Sequence, residues 1–305
     1  MSNWFLIALG SVFLWSIVTY LDKFIIERFI KNRGVGSLIL FSSLFAGVVI
    51  PIIAIINPRV FSIPTMDIFL LCVSGILGSL AIIFYLYALE HEDTSLVIPL
   101  FQLIPIFSFI LGFIFLKEVL SGKQMIAGLI IVAGAIILTL EIEEEKKIRL
   151  KIKPLTLMIL SSLMFSIMDV LYKFVSIDED FWPTQFWHYV GLFILGLLLY
   201  IFIKQYRSEF HRVISSSPLP VVGANVGGEI LQVSANIMNN YALLLAPVVL
   251  VTLVSAYMPI IVFLMGLAFT FIIPKFITER VSKRHLLHKS LAIGVIVIGS
   301  ILLYT

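Results

Sequence analysis

Ten apolar runs follow one another along this chain, each close to the roughly 20 residues that a helix needs to cross about 30 Å of hydrocarbon. They fall at about residues 4–21, 36–56, 67–89, 95–116, 123–140, 155–176, 184–203, 219–244, 247–273 and 288–304. A bilayer core offers no water to satisfy stray backbone groups, so such a chain is confined to a bundle of spanning helices. Soluble alternatives fail on composition. With 305 residues, 60% hydrophobic and 13% charged, there are too few polar side chains to coat a globule. The first run, Trp4 to Leu21, has neither a basic leader nor a small-x-small cleavage site, and is expected to persist as a helix. The lone Cys72 excludes an intrachain disulfide and a cysteine-based metal site. No Walker A, GxSxG, HExxH or CxxC sequence occurs, so no cofactor, metal or nucleotide hydrolysis is expected.

The chain repeats itself. Trp15-Ser16-Ile17-Val18-Thr19-Tyr20-Leu21-Asp22-Lys23-Phe24 lines up with Phe165-Ser166-Ile167-Met168-Asp169-Val170-Leu171-Tyr172-Lys173-Phe174 at an offset of about 150 residues. At a similar offset Tyr87-Ala88-Leu89 meets Tyr241-Ala242-Leu243, Pro105 meets Pro259 and Gly112 meets Gly266. After an insertion near Pro274, Glu118 and Ser121 meet Glu279 and Ser282. A charged segment, Glu141 to Pro154, separates two units of five runs, residues 1–140 and 155–305. Its Glu143/Lys147 and Glu145/Arg149 pairs suit a short surface helix or a solvated linker. Five crossings are an odd number, so the second unit must enter the membrane upside down. Ten transmembrane helices in two inverted five-helix repeats around a central cavity are therefore expected, with a substrate site near mid-membrane.

The eighth run is the most polar. Asn225, Glu229, Gln232, Asn236 and Asn239 follow at steps of four, three, four and three, which places them on one helical face. A carboxyl group at mid-bilayer depth costs about 2.5 to 3.5 kcal/mol on the insertion scale, so it is kept where it faces a cavity or a partner. Glu229 is accordingly the candidate for a proton or amine partner, with Asn225, Gln232 and Asn236 as orienting groups. The competing reading is an interhelical hydrogen-bond zipper. Gly223 and Gly227 on the same run suit close helix packing.

Asp169 is either a second cavity acid or the partner of Lys173 four residues on. Asp22/Lys23 and Lys117/Glu118 read as interface charges, and Glu118 as a brace of the fourth-to-fifth hairpin. Trp15, Tyr85, His188 and Tyr257 are candidates for a cavity wall that binds a cation through ring faces, although Trp182, Trp187 and Tyr189 beside His188 also suit an interfacial belt. Pro105 and Pro259 interrupt corresponding runs and are candidates for gating kinks. His285 and His288 lie in a basic loop without a third ligand in view.

The run Phe115-Leu116-Lys117-Glu118-Val119-Leu120-Ser121-Gly122-Lys123-Gln124-Met125-Ile126-Ala127-Gly128, followed by Ile130-Ile131-Val132-Ala133-Gly134, resembles the segment that closes an EamA domain. With Pro105 upstream and a weaker copy at Glu279, the chain resembles the drug/metabolite transporter superfamily as two EamA repeats. The second copy departs from the pattern by extra residues around Pro274 to Ile277. The resemblance implies ten helices, a central cavity, transport of small metabolites and both termini in the cytoplasm. Charge points the other way. Lys and Arg crowd the loops on the linker side, among them Arg28, Lys31, Lys146, Lys204 and Arg280, and the positive-inside rule puts that side in the cytoplasm.

These features together lead to the expectation of a secondary transporter that moves a small polar, cationic or zwitterionic metabolite by alternating access, with protons as the candidate coupling ion. It would sit as a multi-pass protein in a prokaryotic inner membrane. Its partners would be a small-molecule substrate and the lipid bilayer, with no nucleic acid. The rival readings are a flippase for a lipid-linked sugar and an integral-membrane enzyme using Glu229 and His188 as acid and base.

Overall fold

A computed structural model describes residues 3–25, 35–91, 97–139, 152–216, 219–272 and 283–304. Every regular element among them is helical. The first half holds α1 (Asn3–Ile25), α2 (Gly36–Ile56), α3 (Thr65–His91), α4 (Leu103–Leu111) and α5 (Gly122–Thr139). The second holds α6 (Ile152–Ser176), α7 (Phe181–Phe202), α8 (Lys204–Ser216), α9 (Leu219–Leu245), α10 (Val248–Leu253), α11 (Met258–Ile272) and α12 (Lys283–Tyr304). The Glu141–Pro154 linker up to residue 151, the insertion around Pro274 and Glu279 all lie outside the described residues.

Six segments are long and apolar enough to cross a membrane: Asn3–Asp22, Gly36–Ile56, Thr65–Glu90, Ile152–Ser176, Phe181–Phe202 and Val248–Gly266. Leu100–Leu116, Gly122–Ile137 and Leu287–Leu303 are shorter apolar helices. α9 has the length, at 27 residues, but its amides and Glu229 dilute the apolar character that defines the six.

The most extensive helix contacts each join the two halves: α3 with α6, α1 with α9, α5 with α12, and α2 with α7. Neither half therefore buries its own core. Small residues make the approach possible, as usual where lipid supplies no hydrophobic drive between helices. Serines of α6 reach across to carbonyls of the first half, Ser161 Oγ to Ala81 at 2.8 Å, Ser162 Oγ to Leu100 at 3.1 Å and Ser166 Oγ to Ile104 at 3.0 Å.

Two runs that read as continuous in the sequence are broken. A 3₁₀ turn, Ile98–Gln102, precedes α4, and Gly112–Leu116 closes it as a π turn. In the second half a 3₁₀ turn, Val254–Tyr257, separates α10 from α11. Prolines explain the matching positions. Pro105 and Pro259 lack an N–H, and their rings crowd the carbonyls four residues back, Phe101 and Ser255, each of which lies inside a 3₁₀ turn. The two turns touch each other where the halves cross.

α8 is an addition that hydropathy does not announce. It is a short amphipathic helix that docks on α2, with Phe210 against Phe41 at 5.0 Å between ring centroids and Tyr206 hydrogen-bonded to Tyr87 at 2.5 Å. Gly36 at the start of α2 makes room for it, since a Cβ there would meet Tyr206 and Glu209 at 2.5 Å.

Candidate functional site

A cavity of about 180 Å³ lies between the halves, and α9 supplies its most polar wall. Asn225, Glu229, Gln232, Asn236 and Asn239 all face it, joined by Asn240. The face periodicity read in the sequence is thus the periodicity of the wall. α1 contributes Trp15, Thr19 and Asp22, α3 contributes Tyr85, α6 contributes Asp169 and α7 contributes His188. The aromatic belt reading of His188 does not hold, because the residue is buried in the bundle interior.

Tyr257 is a correction. It does not line the cavity: its hydroxyl bonds to Ser300 and its ring packs edge-on against Phe5 at 5.8 Å. The cause is the 3₁₀ turn. With about three residues per turn instead of 3.6, Ser255 and Met258 face the cavity and Tyr257 is rotated toward α12. Pro105 and Pro259 shape the broken helices but do not line the cavity either.

Three carboxyl groups face the same space, Asp22, Asp169 and Glu229, and among the described residues no lysine or arginine does. Ser42 on α2 donates to Glu229 Oε1 at 2.5 Å. Asp22 lies within electrostatic reach of Glu229 and of Tyr85. His188 Nδ1 lies 2.8 Å from Ser74 Oγ, which is also 2.7 Å from the Leu71 carbonyl, and the ring is held edge-on by Tyr172 and Tyr189. Asp169 Oδ1, both amide atoms of Gln102 and Trp15 Nε1 are buried without a hydrogen-bond partner among the described residues. Each such group costs about 1–3 kcal/mol when unmet, and these three side chains are free to meet a cargo in the cavity.

Lys173 is the second correction. Its ammonium pairs with Glu118 Oε1 at 2.6 Å and donates to the Ala246 carbonyl at 2.6 Å, rather than turning back to Asp169. Glu118 Oε2 accepts the Val248 N–H at 2.8 Å, one of the free donors at the start of α10. The pair clamps the α4–α5 hairpin, the end of α6 and the α9–α10 corner together, so Asp169 is left to the cavity. The hairpin turns at Lys117, whose φ of 56° is the sole positive value outside glycine among the described residues.

Residues 2–140 match the model of the EamA-like transporter family. The first half of this chain is thus similar to an EamA domain. EamA proteins are membrane transporters, and the apolar helices make this an integral, multi-pass membrane protein. A solved structure titled "Crystal structure of protein" overlays this chain with a TM-score of 0.71, over 99% of this chain and 96% of its own, at 15% identity. At that identity the likeness shows the fold alone. No curated protein matches the chain.

Asp22, which reads as an interface charge in the sequence, is placed on the cavity instead, and Gln102, Ser42, Asn240, Thr252 and Ser255 are polar lining residues that sequence reasoning did not single out. For Asp22 a signal existed: Trp15, Thr19 and Asp22 follow at steps of four and three, the same rhythm that exposed the α9 face. Ser42 and Gln102 carry no such mark, because only the crossing helices bring them to the cavity.

Proposed function

We propose that this chain is a secondary transporter of the drug/metabolite superfamily whose cargo is a small organic cation or zwitterion. The observation that carries the reading is the cavity charge, with Asp22, Asp169 and Glu229 facing one space that no described lysine or arginine enters. An ammonium group compensates buried carboxylates at less cost than leaving them unpaired. Glu229 is the group for the proton or the amine, with Asn225, Gln232 and Asn236 orienting the cargo and Trp15, Tyr85 and His188 forming the wall.

The architecture that fits is two inverted repeats, residues 1–140 and 155–305, joined by the linker 141–154. The contacts support it by their pairing: α3 on α6 corresponds to α9 on α1, and α2 with α7 and α5 with α12 each join corresponding helices. Alternating access then consists of rocking about the matched breaks at Pro105 and Pro259. The basic loops put the linker end in the cytoplasm of a prokaryotic inner membrane. A reporter fused to Thr305 that works only in the cytoplasm should stay silent.

Counterflow of unmodified amines into proteoliposomes tests the transport reading. Formation of a new product in detergent, without a gradient, would instead favour an enzyme using Glu229 and His188. Glu229→Gln keeps the shape and the Ser42 contact but cannot ionise, so transport should lose its pH dependence while the protein stays folded. A wild-type pH profile in that variant would remove Glu229 from the coupling role.

A second reading, flipping of a lipid-linked sugar, is favoured by the thin contact between α2 and α9. Movement of a labelled glycolipid between leaflets, with no amine counterflow, would support it.

A further inference from the structure

Asp22 lies within electrostatic reach of Glu229, and Asp169 stands on a different helix, α6. Their depths differ as well. Asp169 lies seven residues before the Ser176 end of α6, and His188 seven residues after the Phe181 start of α7. At 1.5 Å per residue both sit about 10 Å below the end of the bundle that carries the chain termini. Glu229 and Asp22 lie much farther from that end, roughly 24 and 28 Å by the same rise. The acidic wall therefore has two poles on the order of 15 Å apart along the bundle.

The space between them is long. On α9 the lining runs from Ala224 to Asn240, and on α1 from Val12 to Ile25, about 24 and 20 Å of helix. A cargo that meets both poles must span that lining, which an extended chain does and a compact sugar or fused ring system does not. Gln102 faces it between the poles, 2% exposed, with neither amide atom partnered among the described residues. Trp15 stands on the same stretch.

We propose that the cavity selects a linear polyamine, an alkyl chain with an ammonium group at each end and a further amine between them. This rests on the cationic-cargo reading above and specifies it. One terminal ammonium is held by Asp22 and Glu229. The other is held by Asp169 Oδ1, with His188 on the same part of the wall. Gln102 Oε1 accepts from the internal amine, and the Trp15 face covers the methylenes and adds cation–π attraction. A monoamine reaches one pole only, and a zwitterion of the same length would set its carboxylate against Asp169.

The test is titration calorimetry on the full-length protein in detergent with butylamine, 1,4-diaminobutane, spermidine and singly N-acetylated spermidine. Affinity should rise along the first three, with spermidine at least tenfold tighter than butylamine, and acetylation of one end should return it to within about threefold of butylamine. Asp169→Asn should erase the spermidine advantage, bringing spermidine to within about threefold of butylamine measured on the same variant. The wild-type ladder decides the matter even if that variant does not fold. Butylamine binding as tightly as spermidine would overturn the polyamine assignment and leave the cationic-cargo reading standing. Binding of none of the four amines would overturn both.

Discussion

Two helix seams flank the cavity, α3 against α7 and α2 against α9, and they are built in opposite ways. Gly75 and Gly191 close the first backbone to backbone: a Cβ on Gly75 would collide with the His188 carbonyl oxygen, and one on Gly191 with that of Cys72. The second seam has little contact and, among the described residues, is bridged by the side-chain pair Ser42 with Glu229. Gly223 and Gly227 on α9 suit close packing by sequence, yet a Cβ added at either would meet nothing within 4 Å among the described residues. On the two-repeat reading these seams are counterparts. Gly75 takes the place of Glu229 at the offset that pairs Tyr87 with Tyr241, and Gly191 takes the place of Ser42, as Gly196 against Ser43 and Leu44 answers Gly47 against Phe193. Two glycines on one side and an acid with its serine on the other are enough to make similar helices seal in one place and leave a lined cavity in the other. The Glu118–Lys173 clamp reinforces the sealed half, at the end where α6 finishes and α7 begins.

Adding a methyl group to the sealed seam should have the largest effect. Gly75→Ala and Gly191→Ala place a Cβ against backbone that cannot rotate away, so the loss should exceed the about 1–3 kcal/mol of ordinary overpacking. Size-exclusion profiles should show little folded, monodisperse protein, and wild-type yield and melting temperature in both variants would break the contrast between the seams. Next comes the clamp. Glu118→Leu strands the buried Lys173 ammonium with the Ala246 carbonyl alone, at a cost of about 3–5 kcal/mol. A double variant, Glu118→Leu with Lys173→Met, should recover most of that loss in thermal melts, and failure to recover would mean that the pair does more than neutralise itself.

Ser42→Ala removes the bridge of the open seam. Its effect on stability should be small, about 0.5–1.5 kcal/mol, while transport rate and its pH dependence should change, because the α9 carboxyl loses its described donor. An unchanged pH profile would reduce the bridge to packing. The smallest effect is expected at Gly223→Ala and Gly227→Ala. With open space around them, the gain in helix propensity should raise stability by up to about 1 kcal/mol each. A marked loss in either would show that something covers this face in the membrane.

Much of this architecture is legible in the sequence because lipid makes the rules strict. Length and apolarity suffice to place most of the helices, since a chain without water must satisfy its backbone locally. The polar face of α9 is legible for a related reason: 3.6-residue periodicity is a property of one helix and needs no partner to define it. The breaks at Pro105 and Pro259 follow from a missing donor and a crowded carbonyl, again within one segment. What only the tertiary structure decided are the relations between segments. Lys173 has Asp169 within reach along its own helix, yet it crosses to Glu118, because the α4–α5 hairpin and the free N–H groups of α10 arrive there together. Tyr257 carries the composition of a wall residue, and a single 3₁₀ turn rotates it away. Ser42, Gln102 and the closeness of Gly75 to Gly191 depend on where two helices cross, and crossing points are fixed by the sum of many small contacts that no local pattern encodes.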